Sequence, residues 1–311
     1  MPDEDSMDIL VVGAGSLGSL IGGLLAREHD VTLVGRQPHV ETVAASGLQI
    51  TGAVETAVRP AAVTDLDAGT SADLALVTVK AFDTDGAVET LAPADVDVVC
   101  SLQNGLANEA TLAAGLEATV LAGTCTYGAR FVEPGVVECT GVGEVVVGSR
   151  EGGESAAADR VGAAFHKAGV VTTVAEDMPR RLWEKLAVNA GINGVTALAR
   201  VENGALREGP GGEPARAAAR ETASLARAEG VDLSAEEAVE ALERVAEATA
   251  ANTSSMLQDV ERGARTEVDA INGAVADRAA DREADRAADR AADPAADRAA
   301  DGPTDYAADA P

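Results

Sequence analysis

The feature that most constrains this chain is a glycine-rich loop that directly follows a short apolar stretch. The loop is Gly13-Ala14-Gly15-Ser16-Leu17-Gly18, after the apolar run 9–12. A helical pattern follows at 16–28 and a second apolar strand at 31–35. A strand, a tight glycine turn and a helix within a βαβ unit of about 30 residues place a dinucleotide pyrophosphate at the helix N-terminus. The sequence therefore predicts a dinucleotide-binding fold.

The loop residues have separate physical roles in such a site. Gly13 permits the tight turn, Gly15 lets the backbone approach the pyrophosphate, and Gly18 lets the helix pack closely against the strand. A glycine-rich turn between two ordinary elements would contain the same residues, so the flanking strand and helix carry the argument. We predict cofactor contacts for the loop residues Gly13, Gly15, Ser16, Leu17 and Gly18.

The end of the second strand indicates which dinucleotide is bound. An acidic residue at this position would bind the 2′-hydroxyl of a ribose. This chain has Arg36 there, followed by Gln37. A guanidinium pairs with a 2′-phosphate, so the sequence favours NADPH over NADH. A solvated surface arginine is the alternative interpretation.

The remaining apolar runs indicate two domains of different class. Runs with strand character alternate with helical stretches; they are 74–79, 96–102, 118–123 and 144–149. This alternation is typical of a mostly parallel sheet with helices on its faces. From residue 176 onward the apolar residues follow helical spacing. We therefore predict an α/β chain, with a Rossmann-type NADP-binding domain at 1–175 and an all-helical substrate domain at 176–275.

The C-terminal segment 276–311 has a different composition. Aspartate recurs at every fourth position from Asp277 to Asp309, mostly with alanine and arginine between. After Val275 the only large apolar residue is Tyr306. Such a segment buries too little apolar surface to offset its ordering entropy. We predict a solvated, disordered tail, with a transient helix up to Pro294 as the alternative.

The charge balance excludes some function classes. The 311 residues include 24 Lys plus Arg and 52 Asp plus Glu, a formal net charge of −28. Such a surface repels phosphate backbones, which argues against nucleic-acid binding. Apolar runs stay well below the roughly 18 residues of a membrane span, and the N-terminus is acidic where a signal peptide would be basic. We expect a cytoplasmic protein without a membrane partner, as a monomer or a homodimer.

The choice of basic residues indicates adaptation to high salt. Lysine occurs only at Lys80, Lys167 and Lys185, and the other basic residues are arginine. At molar salt the Debye length is about 3 Å, so the self-repulsion of an acidic chain is screened. A lysine retained in such a chain can do what arginine cannot, because burial tunes the pKa of an amine.

Cysteines and histidines give no sign of a metal site. The three cysteines lack CxxC spacing, and the three histidines, His29, His39 and His166, are scattered. We therefore predict no disulfide and no metal, and we interpret all three histidines as solvated surface side chains.

Four further segments carry polar residues in a recognisable order. They are Val79-Lys80-Ala81, Ser101-Leu102-Gln103-Asn104-Gly105, 183–193 (WEKLAVNAGIN) and 254–259 (SSMLQD), the last continuing to Thr266-Glu267 and Ile271-Asn272-Gly273. With the glycine loop, this ordered set resembles the ketopantoate reductase (2-dehydropantoate 2-reductase) family over about residues 7–275.

The resemblance implies a fold and an activity. Members have a Rossmann domain followed by a helical domain of the 6-phosphogluconate-dehydrogenase type, with the active site in the cleft between them. They use NADPH to reduce the keto group of 2-dehydropantoate to (R)-pantoate, a precursor of pantothenate and coenzyme A. The small keto acid is thus the expected substrate.

The resemblance also implies roles for individual residues. The catalytic lysine corresponds to Lys185 and the carboxylate of the site to Glu267. Lys80 corresponds to a lysine that follows a Rossmann strand, near the cofactor and the substrate. The residues that correspond to substrate contacts are Asn104, Asn189, Asn193, Asn203 and Ser255, and Asn104 also corresponds to a cofactor contact.

The residues themselves are consistent with these roles. Ketone reduction develops negative charge on the carbonyl oxygen, which a nearby ammonium stabilises and protonates. Lys185, Asn189 and Asn193 are spaced i, i+4 and i+8, which places them on one helix face. A solvated helix face could also carry these residues, although asparagine is a poor helix former.

Structural alternatives stay open for three of the residues. Glu267 either forms a helix ion pair, or it orients Lys185 or binds a substrate hydroxyl. Ser255 either caps the helix that follows or binds substrate. Asn104 either forms a turn before Gly105 or contacts ligand at the end of a strand.

The resemblance ends after Gly273, where the acidic repeat replaces the last packed helix of the family. This break leaves alternatives for function. They are a reductase of another 2-keto or hydroxy acid, a catalytically impaired NADP-binding homologue, and an interaction protein that docks through its acidic tail.

Overall fold

A computed structural model describes residues 6–292. The strands are β1 Asp8–Val12, β2 Asp30–Val34, β3 Leu48–Gly52, β4 Thr56–Val58, β5 Ala61–Val63, β6 Ser71–Val77, β7 Asp95–Ser101, β8 Thr119–Cys125, β9 Gly128–Glu133, β10 Val136–Gly141, β11 Val145–Ser149 and β12 Thr172–Val174. The α-helices are α1 Ser16–Leu25, α2 His39–Ser46, α3 Thr84–Leu91, α4 Asn108–Gly115, α5 Ala156–Lys167, α6 Met178–Ala199, α7 Ala205–Glu208, α8 Gly212–Ala228, α9 Ala235–Ala248, α10 Ser255–Glu261 and α11 Ala274–Ala292.

The larger sheet has eight strands in the order β12-β11-β8-β7-β6-β1-β2-β5. All neighbouring pairs are parallel except β8 and β11. Strand β1 pairs with β2 on one side and with β6 on the other. The chain continues from β1 to β2 and later returns to β6, so the strand order reverses beside β1. Ligands bind outside the carboxyl ends of the strands at such a reversal. The α/β fold class predicted from the sequence is confirmed.

A second sheet of four strands, in the order β4-β3-β10-β9, stands beside the first. The β9–β10 hairpin reaches the glycine loop, where the Phe131 amide donates to the Ser16 hydroxyl at 3.1 Å. These short strands were not predicted from the sequence, because the alternation of apolar and polar residues in each is brief and the inward-facing side is small.

The helices after β12 form a bundle around the long helix α6. Its neighbours α8 and α9 present alanines to the core, so the helices approach closely; the fully buried ones include Ala215, Ala219, Ala223 and Ala226. Helix α9 begins with a capping box in which Ser234 accepts from the Glu237 amide and the Glu237 side chain accepts from the Ser234 amide. This arrangement satisfies two otherwise unpaired donors at the helix start.

The start of the acidic repeat differs from the predicted solvated tail. Residues 274–292 form helix α11, and residues 293–311 lie outside the described residues. The Arg278 guanidinium lies 5.9 Å from the centre of the Trp183 ring and 3.6 Å from the Glu229 carboxylate. Alanine favours helix. Val275 packs against the core of the bundle, and the two Arg278 contacts add to this packing, so the first turns of α11 lie against the bundle.

Two histidines are buried, contrary to the expectation that all three are solvated. His29 accepts from the Met7 amide and bonds the Ala164 carbonyl at 2.8 Å. His39 bonds the Ser19 hydroxyl at 2.9 Å and accepts from the Gly135 amide. An imidazole can satisfy both ring nitrogens inside the protein, and sequence spacing does not reveal such distant partners.

Among the described helices, none combines the length and apolar character needed to cross a bilayer.

Candidate active site in the cleft

A cavity of about 1550 Å³ lies between the carboxyl edge of the larger sheet and the helical bundle. The glycine loop, the end of β2 and the residues after β6 and β7 line one wall. The other wall consists of one face of α6, the segment 249–259 and Glu267. The residues predicted for cofactor and substrate, apart from Gly18, all lie on this cavity; Gly18 packs beneath the loop.

The glycine loop has the geometry of a phosphate cradle. Gly13 has a φ of +109°, and a Cβ there would lie 2.6 Å from the Val79 amide nitrogen. A Cβ on Gly18 would lie 2.2 Å from the Gly13 carbonyl oxygen, so this glycine lets α1 pack close to the turn. A Cβ on Gly15 would meet only the Gly13 carbonyl oxygen, at 4.0 Å, and α1 begins there without a side-chain cap. Its free amides and helix dipole fit the pyrophosphate of a dinucleotide.

Arg36 lies at the mouth of this part of the cavity. Its side chain is 90% exposed and lies 3.3 Å from the Asp83 carboxylate. An exposed ion pair of this kind is weak, so the guanidinium is free to turn toward a phosphate on the ribose. Nothing acidic follows β2 directly, since Gly35 and Gln37 flank the arginine.

Glu267 joins the two halves of the site through three donors. Its carboxylate accepts from the Ala81 amide at 3.0 Å, from the Asn104 amide group at 3.1 Å and from the Lys80 ammonium at 3.4 Å. The residue is 5% exposed, so the ordered donors balance the cost of burying its charge. From the sequence, Glu267 was expected either to form a helix ion pair or to orient Lys185 or bind a substrate hydroxyl. In the structure its hydrogen bonds go to Ala81, Asn104 and Lys80 rather than to Lys185.

Lys80 is held between two carboxylates. Its ammonium donates to Asp259 at 2.6 Å as well as to Glu267. Burial alone would lower the pKa of Lys80, but Glu267 and Asp259 outweigh it and raise the pKa above the usual lysine value. Lys80 therefore carries a fixed positive charge at the end of β6, beside the cofactor wall.

Lys185 has the opposite electrostatic environment. It lies half-buried on α6, with its ammonium 3.5 Å from the Gln103 carbonyl oxygen. Burial lowers the pKa of Lys185, although Cys125, Glu267 and Glu109 act against it. An amine with a lowered pKa gives up its proton more readily than a solvated lysine, which suits a proton donor.

The asparagines of α6 lie along the same wall as Lys185. The Asn189 amide group donates to the Asn104 side-chain oxygen at 3.4 Å, which joins α6 to the end of β7. Asn193 is 6% exposed and lines the cavity one turn further. The structure thus brings together the face that the i, i+4, i+8 spacing describes.

Asn203 and Ser255 close the far end of the cavity. Asn203 donates to the Thr249 hydroxyl at 2.9 Å, and its buried side-chain oxygen has no hydrogen-bond partner within residues 6–292. Ser254, rather than Ser255, caps α10, since its hydroxyl accepts from the Leu257 amide at 3.2 Å. Ser255 is therefore not needed as the cap, and it lines the cavity.

Two residues of this site were not predicted from the sequence. Asp259 lies four residues after Ser255 on α10, so helical spacing was a usable signal for placing it beside the site. Gln103 contributes its backbone carbonyl to Lys185, and a backbone contact leaves no trace in residue type. The cavity thus combines a phosphate cradle, a proton donor, and amide and hydroxyl groups able to hold a small polar acid.

Comparison with known proteins agrees with this arrangement. The model of the family "Ketopantoate reductase PanE/ApbA" matches residues 9–152, and its C-terminal model matches residues 177–286. A 2-dehydropantoate 2-reductase of Halobacterium salinarum is 46% identical over 89% of this chain and 93% of that protein. One of Archaeoglobus fulgidus is 40% identical over 86% of this chain and 89% of that protein.

Solved structures show the same fold. A PanE/ApbA family ketopantoate reductase of Ralstonia eutropha has a TM-score of 0.80 and 35% identity, with 88% of this chain and 91% of that chain covered. A D-mandelate dehydrogenase complex with NADH and anilino(oxo)acetate has a TM-score of 0.82 at 24% identity, covering 89% and 93%, which shows the fold alone. The chain belongs to the ketopantoate reductase family.

Proposed function

We propose that the protein reduces 2-dehydropantoate to (R)-pantoate with NADPH, which serves pantothenate and coenzyme A synthesis. The observation that carries the proposal is the position of Lys185, whose amine lies in the cleft that also holds the glycine loop, Asn104 and Glu267. The 2-dehydropantoate 2-reductases among the relatives support the same substrate.

The residues divide the work of ketone reduction between them. The nicotinamide supplies a hydride to the ketone carbon when the cofactor is bound. The Lys185 ammonium stabilises the negative charge that develops on the ketone oxygen and donates its proton there. Asn189, Asn193, Asn203 and Ser255 hold the carboxylate and hydroxyl of the acid in a fixed orientation.

The cofactor wall has its own division of roles. The loop 13–18 and the first turn of α1 bind the pyrophosphate, and Arg36 pairs with the 2′-phosphate. Lys80, fixed by Asp259 and Glu267, adds positive charge where β6 meets the cofactor. We assign residues 1–175 to cofactor binding and 176–275 to most substrate contacts, in a cytoplasmic monomer or homodimer.

The proposal is tested by NADPH oxidation in molar KCl, with 2-dehydropantoate compared with pyruvate and 2-oxoisovalerate. We expect rapid oxidation with 2-dehydropantoate alone and (R)-pantoate as the product by chiral chromatography. Oxidation with another keto acid in preference would contradict the substrate assignment. Tight NADPH binding without turnover on any keto acid would contradict the reductase activity.

Replacement of Arg36 by alanine is expected to raise the KM for NADPH by about 10- to 100-fold, the value of one charge-assisted contact. The KM for NADH should stay within about twofold, because NADH lacks the 2′-phosphate. Initial rates with both cofactors measure the change. Arg160→Ala is the matched control, since Arg160 is also exposed and paired with aspartates but lies away from the cavity. An equal effect on both cofactors would contradict the role of Arg36.

Molar KCl is expected to raise the melting temperature by about 10 °C relative to dilute buffer, because salt screens the self-repulsion of the −28 charge. Thermal unfolding followed by circular dichroism measures this shift. Sucrose at matched osmolality is the control, since it favours burial without screening charge. An equal rise in sucrose, or no rise in KCl, would contradict adaptation to salt.

A further inference from the structure

Asn108, the first residue of α4, is a buried polar residue that the proposed reaction does not use. It is 4% exposed and lies outside the lining of the cavity. Its side-chain amide group donates to the backbone carbonyl oxygen of Asn104 at 2.9 Å. Asn104 lines the cavity, where its side chain bonds Glu267 at 3.1 Å and Asn189 at 3.4 Å. Asn108 therefore supports this wall of the site from behind.

The loop between Asn104 and Asn108 has an unusual backbone. Gly105 has a φ of +90° and Ala107 a φ of +88°. Alanine rarely occupies this left-handed region, and such a strained backbone persists where the surrounding contacts fix it. The hydrogen bond from Asn108 to the Asn104 carbonyl closes the loop across both residues. The shape of the loop therefore depends on this side-chain contact.

The partners of Asn108 determine how its side chain is oriented. The Asn104 carbonyl only accepts, so the amide nitrogen of Asn108 faces it and the side-chain oxygen faces the other way. That oxygen lies 3.0 Å from the Thr84 hydroxyl, which also lies 2.8 Å from the Ala81 carbonyl oxygen. The same hydroxyl accepts from the Gln103 side-chain amide at 2.8 Å. We call Thr84, Gln103 and Asn108 the buried network.

The buried network connects two neighbouring strand ends. Thr84 begins α3, shortly after β6, and Gln103 follows β7. Both residues are 4% exposed, so water does not compete for their hydrogen bonds. The Ala81 backbone amide and the Asn104 side chain, one from each strand end, both donate to Glu267. The network therefore sets the spacing of two donors that hold the same carboxylate.

We propose that Asn108, supported by Thr84, is a positioning residue that aligns the Asn104 side chain for ketone reduction. Asn108 acts through the Asn104 backbone, from outside the cavity lining. Asn104 bonds Asn189, one helical turn from Lys185, so its displacement would disturb the orientation of substrate beside the proton donor. The catalytic consequence rests on the proposed reductase function, but the alignment of the loop does not.

A double-mutant cycle tests whether Asn108 acts through Asn104. Asn108→Ala should lower kcat/KM for the keto acid by about 10- to 100-fold, and Asn104→Ala should lower it at least as much. The double variant should lose no more than Asn104→Ala alone, because no Asn104 side chain is then left to align. Additive losses in variants with wild-type circular dichroism would overturn the proposal, as would a folded Asn108→Ala enzyme with wild-type kcat/KM.

Thr84 offers a second test if Asn108→Ala does not fold. Thr84→Val keeps the shape of the side chain but removes the hydroxyl, and it should lower kcat/KM by about 10-fold. Thr84→Ser keeps the hydroxyl and should stay within about threefold of the wild type. Equal values of kcat/KM in the two folded variants would overturn the proposal.

Thr222→Val is the matched control for Thr84→Val. Thr222 is also buried, and its hydroxyl donates to the Ala218 carbonyl at 2.8 Å, but it lies on α8 outside the cavity lining. Its removal should leave kcat/KM unchanged. A loss in Thr222→Val equal to that in Thr84→Val would show a general effect of buried hydroxyls and would overturn the proposal.

Hydrogen exchange separates failure of this proposal from failure of the reductase assignment, because it needs neither substrate nor cofactor. In Asn108→Ala, peptide mass spectrometry should show exchange about 10-fold faster within residues 103–108 and unchanged in the glycine loop 13–18. Unchanged exchange within 103–108 would overturn the alignment, whatever the activity. Faster exchange there, in a protein whose wild type does not reduce 2-dehydropantoate, would support the alignment and contradict only the reductase assignment.

Discussion

Lys185→Ala is expected to lower kcat for keto-acid reduction by about 10³-fold, the usual contribution of a positioned general acid. The cause is the loss of the ammonium that meets the ketone oxygen, since no other amine faces that part of the cavity within the described residues. Lys80 lies on the cofactor wall, where Asp259 and Glu267 hold its ammonium group, so Lys80 cannot replace Lys185. NADPH affinity should change by less than about threefold, because the phosphate cradle lies on the other wall.

Stopped-flow turnover and NADPH fluorescence titration measure the two quantities separately. Lys167→Ala is the matched control, because it removes a lysine that lies outside the cavity lining and should leave kcat unchanged. If Lys185→Ala kept more than a tenth of wild-type turnover, the lysine would not be the acid. If it lost NADPH affinity in proportion to turnover, the defect would be one of binding or folding.

Local spacing made part of this site predictable. The i, i+4, i+8 relation of Lys185, Asn189 and Asn193 depends only on helix geometry, so the sequence specifies their common face. The glycine loop is similarly local, because strand, turn and helix are contiguous in the chain. Residues that face each other across the cavity are distant in the sequence. Which residues meet there was therefore predicted only from the resemblance to the family.

Long-range partners were beyond the sequence analysis. Glu267 lies 187 residues from Lys80, and residue type alone does not show which of several cations it meets. His39 joins α1 to the hairpin through the Ser19 hydroxyl and the Gly135 amide, whereas an isolated histidine in the sequence suggests only a solvated ring. The packing of Val275 and the Arg278–Trp183 contact explain why the acidic repeat begins on a helix that lies against the bundle.

Glu267→Gln is expected to lower kcat/KM by about 100-fold, the order of 3 kcal/mol that accompanies a lost charge in a buried network. The carboxylate accepts from Ala81, Asn104 and Lys80. Glutamine keeps one acceptor oxygen, so its amide group must face either the Ala81 amide or the Asn104 and Lys80 donors. Either orientation places donor against donor and leaves the Lys80 charge with Asp259 alone.

The loss should fall on kcat as well as on KM, because Asn104 also holds Asn189 beside Lys185. Steady-state kinetics with varied keto acid, together with thermal unfolding, measure the effect and the fold. Asp269→Asn is the matched control, since it removes a carboxylate that is 84% exposed and only loosely paired with Arg265, and its kcat/KM should stay within about twofold. A folded Glu267→Gln enzyme with wild-type kcat would show that Asn104 is oriented without the carboxylate. In that case the hydrogen bonds from Glu267 through Asn104 to Asn189 would not affect the reacting groups. The role of Glu267 would then be confined to Lys80 and the cofactor wall.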